Sequence, residues 1–297
     1  MFSTKKILII GSTGLIGKAV VKEIDSNCDW VGTSYPKAIQ GVIRLDITDP
    51  DEVKGIFDKV SPTCVIHCAN LAGGVDFCEK NPDLAKQFHF EATKYIGKKC
   101  LEYKARFVFI SSECVFDGTK ELYSDDEQPN PLNIYGKWKA KSEEWIKENL
   151  ENYAIIRTMS VYGWDPKTLT PNAIMKLYFS ILKKEKVFVP TFRWSSPTYK
   201  EDLARAIVEL AKSSESGIYN IAGRSFINRY EWLKRVCEVL EWDSSLLMPQ
   251  DNPSENDRLR PLSVNFNINK FQSEFTTKLH NLEESLSLLK QDIEKEK

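Results

Sequence analysis

The chain has 297 residues, 42% of them hydrophobic and 28% charged, with a formal net charge of −1. This is the composition of an ordinary globular protein with room for one large or two modest domains. Balanced charge gives no basic footprint for nucleic acid and no charge-driven attraction to a membrane, and no apolar run nears the length of a membrane span. Ile7–Ile10, near the start, runs straight into a glycine loop and reads as a buried strand, not as the apolar region of a signal peptide; a cytoplasmic location is expected. The seven cysteines form no CxxC pair and fit reduced thiols. Histidines 67, 89 and 280 lack metal-ligand spacing, so no metal is expected.

In chain order, the patterning predicts a strand at Lys6–Ile10, a helix at Ile16–Asp25 and a strand at Trp30–Thr33. A short helix follows at Asp51–Val60, with Asp49 and Pro50 as its cap and first-turn signal. Next come a strand at Cys64–His67, a long helix at Asp83–Tyr103, a strand at Arg106–Ile110, a helix within Pro131–Asn149 and a strand at Tyr153–Arg157. Such alternation predicts an α/β fold with a doubly wound parallel sheet of the Rossmann type. Beyond Arg157 the alternation fades. Helices are expected at Leu169–Lys183, Glu201–Lys212 and Arg229–Leu240, a strand at Gly217–Ala222, and loop over 243–262. Leucines 279, 282, 286 and 289 mark an amphipathic helix at Thr276–Glu294, read as packing on its own domain, with a frayed end over Glu294–Lys297. The expected division is a dinucleotide-binding domain over 1–158 and a smaller α/β carboxyl-terminal substrate domain over 159–297, with about 200–216 packing back on the first.

Two constellations carry chemistry. Gly11-Ser12-Thr13-Gly14-Leu15-Ile16-Gly17 joins a strand to a helix, the context in which such a loop binds a dinucleotide. Gly11 would permit the tight turn, Gly14 the approach of the pyrophosphate and Gly17 close helix–strand packing, while the helix amino terminus supplies N–H groups to the phosphates. The second strand runs into Thr33-Ser34-Tyr35-Pro36-Lys37 with no carboxylate for a ribose 2′-hydroxyl. Its hydroxyls and Lys37 suit a 2′-phosphate, so NADPH is the expected cofactor, with NADH as the alternative; Lys37 also reads as a surface lysine. Asp46 either meets the adenine amine or caps the next helix. Further along, Tyr135 and Lys139 lie one helical turn apart, on one face. An ammonium there would lower the tyrosine pKa toward the range useful for acid–base work, and a serine of the pair Ser111-Ser112 would hold a substrate oxygen. The reading is redox chemistry on a carbonyl or alcohol.

These motifs, together with Val75–Pro82, Ile110–Gly118, Pro129–Lys139, Arg157–Gly163, Ser196–Leu203 and Arg260–Ser263, resemble the extended short-chain dehydrogenase/reductases. Within them the chain is most similar to the dTDP-4-dehydrorhamnose reductase family, which also holds the regulatory beta subunit of methionine adenosyltransferase. Coverage is nearly full length. The resemblance implies hydride transfer to C4 of a nucleotide-linked 4-keto-6-deoxy sugar, with Ser112, Tyr135 and Lys139 as the catalytic set. Tyr135 would protonate the forming alkoxide and Lys139 would hold the nicotinamide ribose. The expected cofactor contacts are Gly11 to Gly17, Thr33, Ser34, Lys37, Asp46, Ile47, Cys68, Ala69, Asn70, Tyr135 and Lys139. The expected substrate contacts are Ser112, Glu113, Val161, Arg193, Trp194 and Arg260. The partner expected is a nucleotide-diphospho-sugar substrate, with a homodimer left open.

Departures from the family pattern cluster around the substrate. Cys114 stands where the family has a tyrosine, and Thr191-Phe-Arg193-Trp194 replaces a segment that usually carries Asp-Gln. Loop 69–74 is one residue longer than usual. Arg193 and Trp194 read equally as binders of a diphosphate and a base or as a surface loop. Two other readings remain: an epimerase or dehydratase that retains NAD, and a regulatory subunit that binds NADP without turnover.

Overall fold

The computed structural model describes residues 6–24, 28–37, 39–168 and 170–296. Asp25, Leu169 and Lys297, each ending a segment read from sequence, lie outside them. Seven parallel strands form one sheet: β1 (Lys6–Ile10), β2 (Asp29–Ser34), β3 (Ile43–Arg44), β4 (Cys64–His67), β5 (Arg106–Ile110), β6 (Tyr153–Arg157) and β7 (Gly217–Asn220). Their order across the sheet is β3-β2-β1-β4-β5-β6-β7. The order reverses between β1 and β4, and in open α/β sheets ligands bind at the carboxyl ends of the strands beside such a reversal.

Alternation along the strands divides the sheet core into two faces. Ile7, Ile9, Ile66, Val108 and Ile156 point to one face, where helices Leu15–Glu23 and Lys200–Lys212 pack. Leu8, Ile10, Val65, Phe107 and Ile155 point to the other, covered by helices Pro50–Val60, Ala92–Glu102 and Ile134–Asn149. Central strands buried on both faces read as continuous apolar runs, which is why β4, β5 and β6 match their sequence-based bounds.

A second layer has its own core, built from Leu177, Val189, Trp232, Val236, Leu286 and Leu289 among others. Here the sequence reading needs correction. The stretch 243–262 holds a strand, Leu247–Gln250, paired parallel with Val187–Pro190, and a short helix at Glu255–Arg258. The last helix is Leu282–Lys295, capped by Asn281; Leu279 precedes it and packs in the sheet core instead. The helix expected at Asp83–Tyr103 is interrupted by a π-helical turn over Gln87–Glu91. Strand β7, helix Lys200–Lys212 and Phe271 all return to the sheet from beyond residue 158. Among the described residues, no helix is long and apolar enough to cross a membrane.

Candidate active site

The glycine loop leaves the carboxyl end of β1. Gly11 has φ +80°, the left-handed region that favours glycine. A Cβ at Gly17 would lie 2.2 Å from the Gly11 carbonyl oxygen, so the helix start seats only glycine there. A Cβ at Gly14 would meet only that same oxygen, at 3.6 Å. The loop is thus closed toward the protein and open at Gly14, the side a pyrophosphate would approach, and it fits a dinucleotide. The amide of Gly11 donates to Thr33 Oγ1 (3.3 Å), while Ser12 donates from both its amide (3.0 Å) and its hydroxyl (3.1 Å) to the Thr33 carbonyl.

Beyond the loop, a cleft of about 270 Å³ opens over the ends of β4, β5 and β6. Ile16 from the first helix and Cys68, Ala69 and Asn70 after β4 line one side. Ser112 and Glu113 after β5, and Met159, Ser160 and Val161 after β6, line the other. Tyr135 and Lys139 project into it from helix Ile134–Asn149, which Asn133 caps by accepting from the Gly136 amide at 2.7 Å. The buried Thr158 Oγ1 at its wall has no hydrogen-bond partner among the described residues. Lys18 and Asp165 pair at 2.8 Å, tying the first helix to the segment after β6.

The proton-bearing groups are tightly held. Lys139, 3% exposed, donates to the Ile110 carbonyl at 2.8 Å, and its Nζ lies 5.8 Å from the centre of the Tyr135 ring. Burial pushes the ammonium down to about 8, against the opposing pull of Glu143. The pKa of Tyr135 is raised, by burial first and then by Cys114 and Glu113, with a hydrogen bond to Ser112 opposing. That corrects the expectation that the ammonium would lower it. Tyr135 is half-buried at the cleft wall, and Lys139 spends its bond on Ile110. Tyr135 is therefore held protonated at neutral pH. Behind it, the π-helical turn sets the buried ring of His89 edge-on to Tyr135, with centroids 5.0 Å apart.

Ser112 donates to Glu113 Oε2 at 2.7 Å and accepts from the Cys114 amide at 3.2 Å. Burial pushes the Glu113 carboxyl up. Ser111 turns into the fold and donates to Glu143, which forms a buried ion pair with Arg157 at 2.7 Å. Helix Ile134–Asn149 thus carries Tyr135 and Lys139, and the carboxylate that anchors it to β6.

Over residues 5–294 the chain matches the family described as the RmlD substrate binding domain. It belongs to that family. A methionine adenosyltransferase 2 subunit beta from Xenopus tropicalis is 29% identical, covering 90% of this chain and 82% of its own. A probable low-salt glycan biosynthesis reductase from Haloferax volcanii is 27% identical, covering 86% and 89%. Among solved structures, dTDP-4-dehydrorhamnose reductase from Bacillus anthracis in complex with NADP superposes with a TM-score of 0.84 at 25% identity, covering 98% of this chain and 99% of that one.

Within this family fold, several residues expected around the cofactor face elsewhere. Thr33, 1% exposed, is enclosed by the glycine loop, and Ser34 donates its hydroxyl to the Lys37 carbonyl at 2.8 Å. Neither hydroxyl is free for a 2′-phosphate; of the three groups expected there, Lys37 alone is exposed. Ile47 is buried in the sheet core. The helix at Pro50 is capped by Asp49, not by Asp46. Asp46 instead accepts from the Thr48 amide (2.9 Å) and hydroxyl (2.6 Å), and these bonds hold its carboxyl below its usual value against the effect of burial. Arg193 pairs with Asp257 at 2.8 Å and Arg260 with Asp76 at 2.7 Å. Trp194 is 40% exposed and tilts against Phe226, which is 38% exposed, at 5.6 Å. It is a rim residue, not a core one. Sequence reading missed Thr158, Met159 and Ser160, although their place after a parallel strand was the available signal.

Proposed function

We propose that the chain is an NADPH-dependent reductase of a nucleotide-linked 4-keto-6-deoxy sugar, acting in nucleotide-sugar biosynthesis. The observation that carries this reading is the convergence of Ser112, Tyr135 and Lys139 on one cleft that also reaches the glycine-loop helix through Ile16. When bound along that loop, reduced nicotinamide supplies the hydride. Tyr135, kept protonated by its raised pKa, donates its proton to the substrate oxygen as negative charge develops there. Ser112 lines the same cleft as Tyr135 and positions the same oxygen. Lys139, fixed by Ile110, presents its remaining protons toward the cleft, where a ribose would accept them. Lys37 is the remaining group for the 2′-phosphate. The relation to a solved dTDP-4-dehydrorhamnose reductase with NADP supports both the cofactor and the substrate class.

A second reading follows from the 29% identity with methionine adenosyltransferase 2 subunit beta: a subunit that binds NADP without turnover. One experiment separates them. The protein is mixed with NADPH and a panel of nucleotide-diphospho-4-keto sugars, and loss of the dihydronicotinamide absorbance is followed. The reductase reading expects oxidation that depends on one of these sugars. Tight NADPH binding with no oxidation across the panel would overturn it and favour the binding subunit.

A further inference from the structure

Three arginines are brought near Glu113, which lines the cleft, and one of them has no acidic partner among the described residues. Ile227 and Asn228 pair antiparallel with Ser195 and Trp194, and Trp194 bridges on its other side to Ser263. This small ladder gathers Arg193, Arg229 and Arg260 from three distant stretches of sequence. The Arg229 amide donates to the Arg193 carbonyl at 2.9 Å. Asp257 pairs with Arg193 and Asp76 with Arg260. Among the described residues, the guanidinium of Arg229 makes no hydrogen bond and no ion pair; it lies 5.8 Å from the centre of the Trp232 ring. Burial and the charges of Arg193 and Arg260 push its pKa down, to about 10, with Glu113 opposing. Arg193 Nε is also buried without a partner. Glu113, the acid that faces these arginines, has its carboxyl pushed up by burial and is bonded to Ser112. The half-buried guanidinium of Arg229 is open to an anion, and the unpaired buried N–H of Arg193 costs stability. An anion held between the two would complete both.

We infer that Arg229, together with the Nε–H of Arg193, is the anion receptor of the substrate cleft, and that its ligand is a diphosphate. The inference rests on the sugar-nucleotide reading above and transfers the anchoring role from the paired guanidinium of Arg193 to a residue the motifs do not mark. The exposed Trp194–Phe226 pair beside it offers an apolar face to the base of the same ligand.

The test uses the full chain saturated with NADPH, titrated calorimetrically with dTDP, UDP and inorganic pyrophosphate. The wild type is expected to bind at least one of them. Arg229→Gln should weaken that binding roughly ten- to a hundredfold, as expected for a lost charge-assisted bond, without changing NADPH affinity, and Arg229→Lys should restore part of it. Melting of the ligand-free protein separates this role from a structural one. Removing an uncompensated cation should leave the melting temperature of Arg229→Gln unchanged or raised. A lowered melting temperature would assign Arg229 to the fold and overturn the inference. Undiminished dTDP, UDP or pyrophosphate binding by Arg229→Gln would overturn it while leaving the sugar-nucleotide reading intact. A wild type that takes up none of the three probes would remove both.

Discussion

At the glycine loop, Ser12, Thr33 and Ser34 all spend their hydroxyls on backbone groups of the chain itself. Across the cleft, Thr158 Oγ1 and Arg193 Nε have no partner, and Arg229 has no counter-ion among the described residues. In the first region folding alone completes these bonds. In the second, the fold leaves the donors open. Each unpaired buried group, such as Thr158 Oγ1 or Arg193 Nε, costs about 1–3 kcal/mol, so the second region gives up stability that the first keeps. Tyr135 and Lys139 stand where the two meet.

The largest expected effect breaks the chemistry at that meeting point. Tyr135→Phe keeps the ring and its contact with His89 but removes the proton. Turnover should fall by roughly 10²–10⁴-fold, while NADPH affinity and melting temperature stay near wild type. Near-normal NADPH oxidation by this variant would show that the proton comes from elsewhere.

The next tests whether the two regions are mechanically joined by helix Ile134–Asn149. Glu143 and Arg157 are 2% and 1% exposed, respectively. Glu143→Gln leaves the guanidinium without its counter-charge, at an expected cost of about 3–5 kcal/mol in urea unfolding. It should also move a pH profile. The proposed role requires Lys139 as a cation, and burial pushes it down to about 8, so wild-type turnover should decline as pH rises through that value. Glu143 opposes the shift, and its removal should move the decline to lower pH. An unmoved profile with reduced stability would confine Glu143 to a structural part.

The smallest expected effect sharpens the contrast at the cofactor end. Lys37→Ala should weaken NADPH by about tenfold and leave NADH alone, as loss of one exposed charge-assisted contact would. Thr33→Val should weaken both cofactors equally, because it loosens the loop and not a 2′-phosphate contact. NADPH-selective damage from Thr33→Val would reverse this assignment. Titrating each variant with both dinucleotides checks the pair.

How much of this was legible depended on whether the signal was local. Tyr135 and Lys139 follow from spacing on one helix, and the glycine loop from its strand–loop–helix setting. The Asp49–Pro50 helix start is equally local, and the helix begins there. The orientation of Thr33, Ser34 and Ile47 was not legible, because residue type does not say which side of a loop a hydroxyl faces. Strand Leu247–Gln250 has no apolar alternation of its own and exists through its pairing with Val187–Pro190. Arg229 carried no motif; only the ladder between 227–228 and 194–195 brings it to Arg193.

The path of the chain between its two layers has a consequence for how such a protein diversifies. The polypeptide leaves the sheet after β6, returns for Lys200–Lys212 and β7, leaves again for Arg229–Leu240, returns with Phe271 and Leu279, and ends in the second layer at Leu282–Lys295. No single breakpoint separates the sheet from the second layer. A recombination event that exchanged everything after residue 158 would bring a foreign edge strand and a foreign covering helix to the sheet. Point substitution at single positions such as Arg193 or Arg229 leaves the sheet intact, whereas grafting a ready-made module would not.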